Sequence, residues 1–292
     1  MNMYWNVYRG LEKELLGIAD VIHIDDKQSE VYSVKIASLL LRTAVEIEAI
    51  SKKLYQMNGG TKDLAHAYFD FDCIKHLNQI WGIESRVVTV ASPYIYLSEP
   101  NRTFAPLKDC SIKNDETWKG AYQAVKHNRE ENLEKGNIIN FIKALGALFI
   151  LNVYYRDETV KIGTDPFRSF DCSRGSEIFS LLVDKRLTFG DDGKENVGAD
   201  SDQCAYIIRA EPDALENVTK AIGEINKEIR NRTEQIVRSR LEKGEHVSDD
   251  EVRKIADSVM VPTARDKYRI LHAATQGLRY VAELNKSSTA AA

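Results

Sequence analysis

Apolar positions recur at three- and four-residue spacings through most of the first 60 residues. Val7, Leu11, Leu15, Ile18 and Ala19 predict a helix over about 6–20. Ser33 stands as a side-chain cap before a second helix, about 34–57, which stops at Asn58-Gly59-Gly60. Its apolar side carries Ile36, Leu39, Leu40, Ala44, Ile47, Ile50 and Leu54. A third helix is predicted from about Thr61 to Trp81. The period then changes. Arg86–Leu97 is β-branched and aromatic around Ser92-Pro93 and predicts a hairpin. Helical spacing returns from about 115 to 131, breaks at Gly136, and resumes in the apolar stretch Asn137–Tyr155.

After Arg156 the pattern is mixed. Ile178–Val183 and Ala205–Arg209 read as short strands, and residues 190–198 as a Gly- and Asp-rich loop. From Pro212 a long amphipathic helix begins. Leu215, Val218, Ile222, Ile225, Ile229, Arg232 and Ile236 alternate spacings of three and four, an a/d seam interrupted by Arg232. Asp249, Asp250 and Glu251 favour a new helix start after Ser248. A last helix is expected over about 264–284, with a frayed tail behind it. The expected fold class is mainly α. It comprises a helical domain over 1–156 with a β insertion at about 86–97, a mixed segment over 157–211, and a helical C-terminal region over 212–292.

Composition narrows the function classes. Lys plus Arg is 40 and Asp plus Glu 44, a net charge of −4, which excludes a globally basic nucleic-acid-coating protein but leaves room for a local basic site. No apolar run reaches the roughly 18 residues of a membrane span; Phe141–Tyr155 carries Lys143 and reads as a buried helix, so no membrane association is expected. No signal-peptide core precedes the first acids, which makes the cytoplasm the expected location. Cys73, Cys110, Cys172 and Cys204 form no CxxC pair and read as reduced, structural thiols. No nucleotide fingerprint, GxSxG elbow or HExxH is present, and no metal or cofactor is expected.

The densest polar cluster spans Trp118–Asn132. On one helix, Trp118, Tyr122, Val125 and Arg129 would share a side, with Lys126 and Arg129 as neighbours. His127 would lie between two cations, which disfavour imidazolium and leave a neutral base. Arg129 and Lys126 would hold a phosphate, and Tyr122 or Asn128 would orient it. The competing reading is a helix C-cap with surface ion pairs, since Glu130 and Glu131 follow at once. On the second helix Arg42 and Glu46 can pair, and Glu46 or Glu48 could support the cations if the two helices pack together. Arg230, Arg238 and Arg240 form a local basic stripe, which could meet a phosphate backbone or simply be a solvated helix face.

Ser33–Lys52 and Trp118–Tyr155, with Phe69–Ile74 and Gly175–Phe179, resemble a group of bacterial proteins of uncharacterised function that are similar to the HEPN superfamily. The resemblance covers about residues 7–183. It implies a bundle of four or five up-and-down helices, a homodimer or higher oligomer, and metal-independent endoribonuclease activity on RNA in phage defence or a toxin system. This chain departs from the family's Arg-then-His order, reading Lys126-His127-Asn128-Arg129. The resemblance is equally compatible with a non-catalytic dimerisation or interaction module, with a protein partner met through the 212–243 helix.

Overall fold

A computed structural model describes residues 2–167, 170–188, 190 and 194–287. In chain order the elements are α1 (Met3–Ala19), β1 (Ile24–Asp25), α2 (Val34–Met57), α3 (Lys75–Trp81), β2 (Val88–Val90), β3 (Ile95–Tyr96), β4 (Thr103–Phe104), α4 (Trp118–His127), α5 (Arg129–Asn132) and α6 (Ile138–Arg156). Then come β5 (Val160–Gly163), β6 (Phe179–Leu181), β7 (Val183–Arg186), β8 (Tyr206–Ala210), α7 (Pro212–Glu242), α8 (Asp249–Thr275) and β9 (Tyr280–Leu284). The chain is mainly α, as its spacing predicts.

The centre is α6. It is apolar on every side and long enough to cross a bilayer, but most of it is buried between α1, α2 and α4. A helix without a polar face has nowhere else to go in a folded domain. The predicted side-chain cap is present on α2, where Ser33 Oγ accepts from the Ile36 N–H at 3.1 Å. The apolar stripe of α2 packs on α6, with Leu40, Ile47 and Ile50 fully buried.

Four expectations change. Residues 61–81 are not one helix. Residues 61–68 form turns, Phe69–Ile74 a single π-helical turn, and only Lys75–Trp81 is α-helical. The stretch 86–97 is not a hairpin. β2 pairs with β4 and β6 in an antiparallel sheet, while β3 pairs in parallel with β1. Ser92-Pro93 bends the chain, and β2 and β3 find longer-range partners on either side. The helix expected after Ser248 and the last helix expected from about 264 are one helix, Asp249–Thr275, which runs through Pro262; it ends there because Gly277 adopts a left-handed φ of 71° and Tyr280–Leu284 becomes a strand. Residues 288–292 of the expected tail lie outside the described residues.

The fourth change concerns the boundary at Arg156. β6 closes a sheet begun by β2, and the buried Glu12 carboxylate of α1 accepts from Ser176 Oγ at 2.5 Å and the Glu177 N–H at 2.8 Å. One continuous apolar core runs from Tyr8 and Leu11 to Tyr206 and Leu284. Residues 157–211 therefore fold onto the helical part. The second sheet is mixed, in the order β5-β9-β8-β7, with β7 parallel to β8 and β9 antiparallel to both its neighbours.

Between the adjacent strands β8 and β9 the chain leaves the body as an antiparallel helical arm, α7 and α8. At a rise of 1.5 Å per residue, the 31 residues of α7 extend about 46 Å. The seam read from the sequence is used here within the chain: Val218 and Ile225 are buried where α7 packs on α8.

Candidate functional site

The chemistry-bearing residues gather on one side of the bundle, between α2, α4 and the turn segment 61–72. Two features of the sequence build this wall. α4 starts at Thr117, whose Oγ1 accepts from the Gly120 N–H at 3.3 Å, and a Cβ on Gly120 would lie 2.3 Å from the Asp115 carbonyl oxygen. Only glycine permits that approach. At the end of α2, Tyr55 Oη accepts the Lys62 N–H at 3.0 Å and anchors the turns that follow.

The buried Lys119 ties these pieces together. Its ammonium donates to Asp70 Oδ2 at 3.1 Å and to the carbonyls of Cys110 at 2.8 Å and Ile112 at 2.7 Å. All three ammonium protons thus find acceptors, which a buried cation requires. The ammonium also lies 4.8 Å from the centre of the Phe71 ring. Nearer the surface Lys62 Nζ contacts Asp72 Oδ2 at 2.5 Å, and that pair holds the Asp72 carboxyl below its usual range and the Lys62 ammonium above it.

Of these groups Lys62, Asp70 and Phe71 border a cavity of about 800 Å³. From α2 it is lined by Glu48 and Lys52, which pair at 2.8 Å. From α4 come Tyr122, Gln123 and Lys126, with Lys126 Nζ 5.3 Å from the centre of the Tyr122 ring. The turn segment adds Lys62, His66, Tyr68, Asp70 and Phe71. The carboxylates on the wall are answered by lysines: Glu48 by Lys52, and Asp70 by Lys119. Lys126 has no carboxylate partner among the described residues, so the cavity carries surplus positive charge there. Tyr68 and Phe71 are exposed at 68% and 46%, ring surface that a ligand can cover.

Glu48, Tyr122 and Lys126 all line this cavity, but Glu48 pairs with Lys52 and does not support Lys126, a correction to the expected role of that carboxylate. His127, Asn128 and Arg129 are exposed and stand outside the cavity lining. α4 ends at His127, and Asn128 leaves helical geometry at φ −148°, ψ 87°. Asn128 then caps α5, its Oδ1 accepting from the Glu131 N–H at 3.4 Å. Arg129 therefore does not continue the face of Trp118, Tyr122 and Val125, a correction to the single-helix expectation. Glu46 is half-buried and bears on Tyr4 of α1, not on the cations of α4. Arg42 is exposed on α2.

Arg230 and Arg238 are exposed on α7, and Arg240 is half-buried near its end. Antiparallel packing sets this basic end beside the acidic start of α8. There Ser248 holds the Glu251 carboxyl below its usual range through its backbone and hydroxyl, and Arg240 adds to the effect. Of the three arginines Arg240 is the one placed beside acids among the described residues, its Nε 4.0 Å from Glu245 Oε2.

Sequence reasoning missed Lys62, Asp63, His66, Tyr68 and Phe71, because 61–81 reads as one helix, and it missed Lys52 because that residue looks like an ordinary surface lysine of the second helix. The signal was available in Asp63-x-x-His66 and in the alternation of rings and acids at Tyr68–Asp72, neither of which suits a helix interior. All four cysteines are free thiols, and burial pushes Cys73 and Cys204 up to about 11. Thiolate chemistry near neutrality is therefore not open to them. Among the described residues no three His, Cys, Asp or Glu side chains converge as metal ligands. Compared with family models, with curated proteins and with solved structures, the chain matches none.

Proposed function

We propose that this chain is an RNA-targeting protein of HEPN-like architecture, a metal-independent endoribonuclease that serves phage defence or a toxin system in the cytoplasm, as a homodimer. The packing of α1, α2 and α4 around α6 supports the bundle reading. The observation that carries the function is the cavity. It combines an uncompensated lysine, Lys126, with two further lysines, Lys52 and Lys62, and the exposed rings of Tyr68 and Phe71. Lysines that track a phosphate backbone, with aromatic faces for unstacked bases, are what single-stranded nucleic acid requires.

The test is anisotropy of a labelled single-stranded RNA titrated with the full chain at several salt concentrations. Wild type binds with an affinity that falls steeply as salt rises. Lys126→Glu weakens binding about tenfold or more, while Arg238→Glu on the arm changes it less than twofold. Equal loss in both variants, or no binding by wild type, removes the cavity as an RNA site.

A second reading has one observation in its favour. The arm of α7 and α8 presents Met260, Val261 and Tyr268 to solvent, at 44%, 68% and 63% exposure. On that reading the chain is a non-catalytic interaction module that meets a protein partner through the arm. It predicts no RNA binding and no cleavage.

A further inference from the structure

The imidazole that reaches the cavity is His66, not His127. His66 sits in the turn segment, and its Nδ1 lies 3.2 Å from Asp63 Oδ2. The Asp63 carboxylate is itself oriented, since its Oδ1 accepts from the Ala65 N–H at 3.1 Å. With Nδ1–H donating to Asp63, the lone pair is on Nε2, the tautomer of a general base steered by a carboxylate. The same cavity holds Lys126, an ammonium without a carboxylate partner among the described residues, and Lys52 and Lys62 beside their acids.

We infer that His66 is the general base of an RNA-cleaving site in this cavity, with Asp63 as its positioning residue and Lys126 as the acid. The inference rests on the RNA reading above and adds to it the residues that move protons. His66 Nε2 takes the proton of a ribose 2′-hydroxyl. The 2′-oxygen forms a bond to the adjacent phosphorus, and the bond from phosphorus to the 5′-oxygen breaks. The departing 5′-oxygen takes a proton from Lys126 Nζ. The products are a 2′,3′-cyclic phosphate and a 5′-hydroxyl, with no oxidant, metal or water consumed. Solvent then returns a proton to Lys126 and removes one from His66. A strand lacking 2′-hydroxyls binds to the same lysines and rings and is not cut.

The experiment uses the full chain, a chelator, and a 5′-labelled single-stranded RNA oligonucleotide of mixed sequence beside its 2′-deoxy counterpart. Binding is read by anisotropy and cleavage on a gel that resolves cyclic-phosphate ends. Wild type is expected to cut the RNA only. His66→Ala is expected to lose cleavage by about a hundredfold or more, to keep binding within about twofold, and to regain part of its rate with added imidazole. Asp63→Asn loses less than His66→Ala. His66 is exposed, so these changes leave the fold intact. Cleavage that survives His66→Ala, or wild type that binds RNA without cutting it, overturns the inference and leaves RNA binding standing. Failure of wild type to bind RNA overturns the underlying reading as well.

Discussion

Lys119 is buried with three acceptors around its ammonium, and three segments of chain depend on that. Its partners are the Asp70 carboxylate in the π-helical turn and two carbonyls in the loop before α4. Removing one member of such a pair strands the other, which typically costs about 3–5 kcal/mol. Lys119→Met is therefore expected to lower the unfolding free energy, read from urea denaturation, by an amount of that order. The double variant Lys119→Met with Asp70→Leu recovers much of the loss, because it buries no charge. Equal loss in the single and double variants would mean that the carbonyl bonds dominate. The pairing could not be read from the sequence. The partners stand 49 positions apart with no periodicity that links them, and Lys119 looks like any other lysine in a charged run. Tyr122 and Lys126 were legible because both follow from the spacing of one helix. Arg129 was misread because Asn128, as apt for a cap as for a helix interior, ends α4 after His127.

At the scale of elements, helices with one apolar face were read well, and strands only where their partners did not matter. α1, α2, α6 and α7 stand within a few residues of their predicted spans. β2 and β3 were seen as extended but paired with each other, since turn chemistry at Ser92-Pro93 is local and the true partners lie far away. The arm is the element with the clearest consequence. Its apolar seam is separate from the main core, and β8 and β9 are already paired at its base, with Ala210 opposite Tyr280. Glu211 donates its N–H to the Arg279 carbonyl at 2.8 Å, extending that ladder by one step. Replacing residues 212–278 by Asn-Gly, the usual two-residue hairpin turn, should leave the body folded. Circular dichroism should show less helix and a single cooperative melt within about 2–4 °C of the parent, the order of shift that a change of about 1 kcal/mol produces in a body of this size. Loss of the cooperative melt would show that the arm braces the sheet.

The whole molecule is closed by its most distant contacts. Arg86 is 1% exposed and has no carboxylate partner among the described residues, yet its Nε donates to Tyr154 Oη at 2.8 Å and its guanidinium donates to the carbonyls of Trp81, Asp202, Asn285 and Ser287. Asn285 answers from the other side, its Nδ2 donating to the carbonyls of Ser201 at 2.7 Å and Cys204 at 3.0 Å. Asn285→Ala removes that donor from two buried acceptors and is expected to cost about 1–3 kcal/mol. Chemical unfolding of the intact chain measures it, and an unchanged midpoint would show that the carbonyls find other donors. β9 sits between β5 and β8, so the sheet has its central strand from a late part of the chain and its flanking strands from earlier ones. On the ribosome, where synthesis runs from N- to C-terminus, β5 and β8 emerge with open edges and the arm is made before the strand that joins them. A chaperone that shields strand edges would find its target in that interval, and the nascent chain would cease to be a client once β9 had left the exit tunnel.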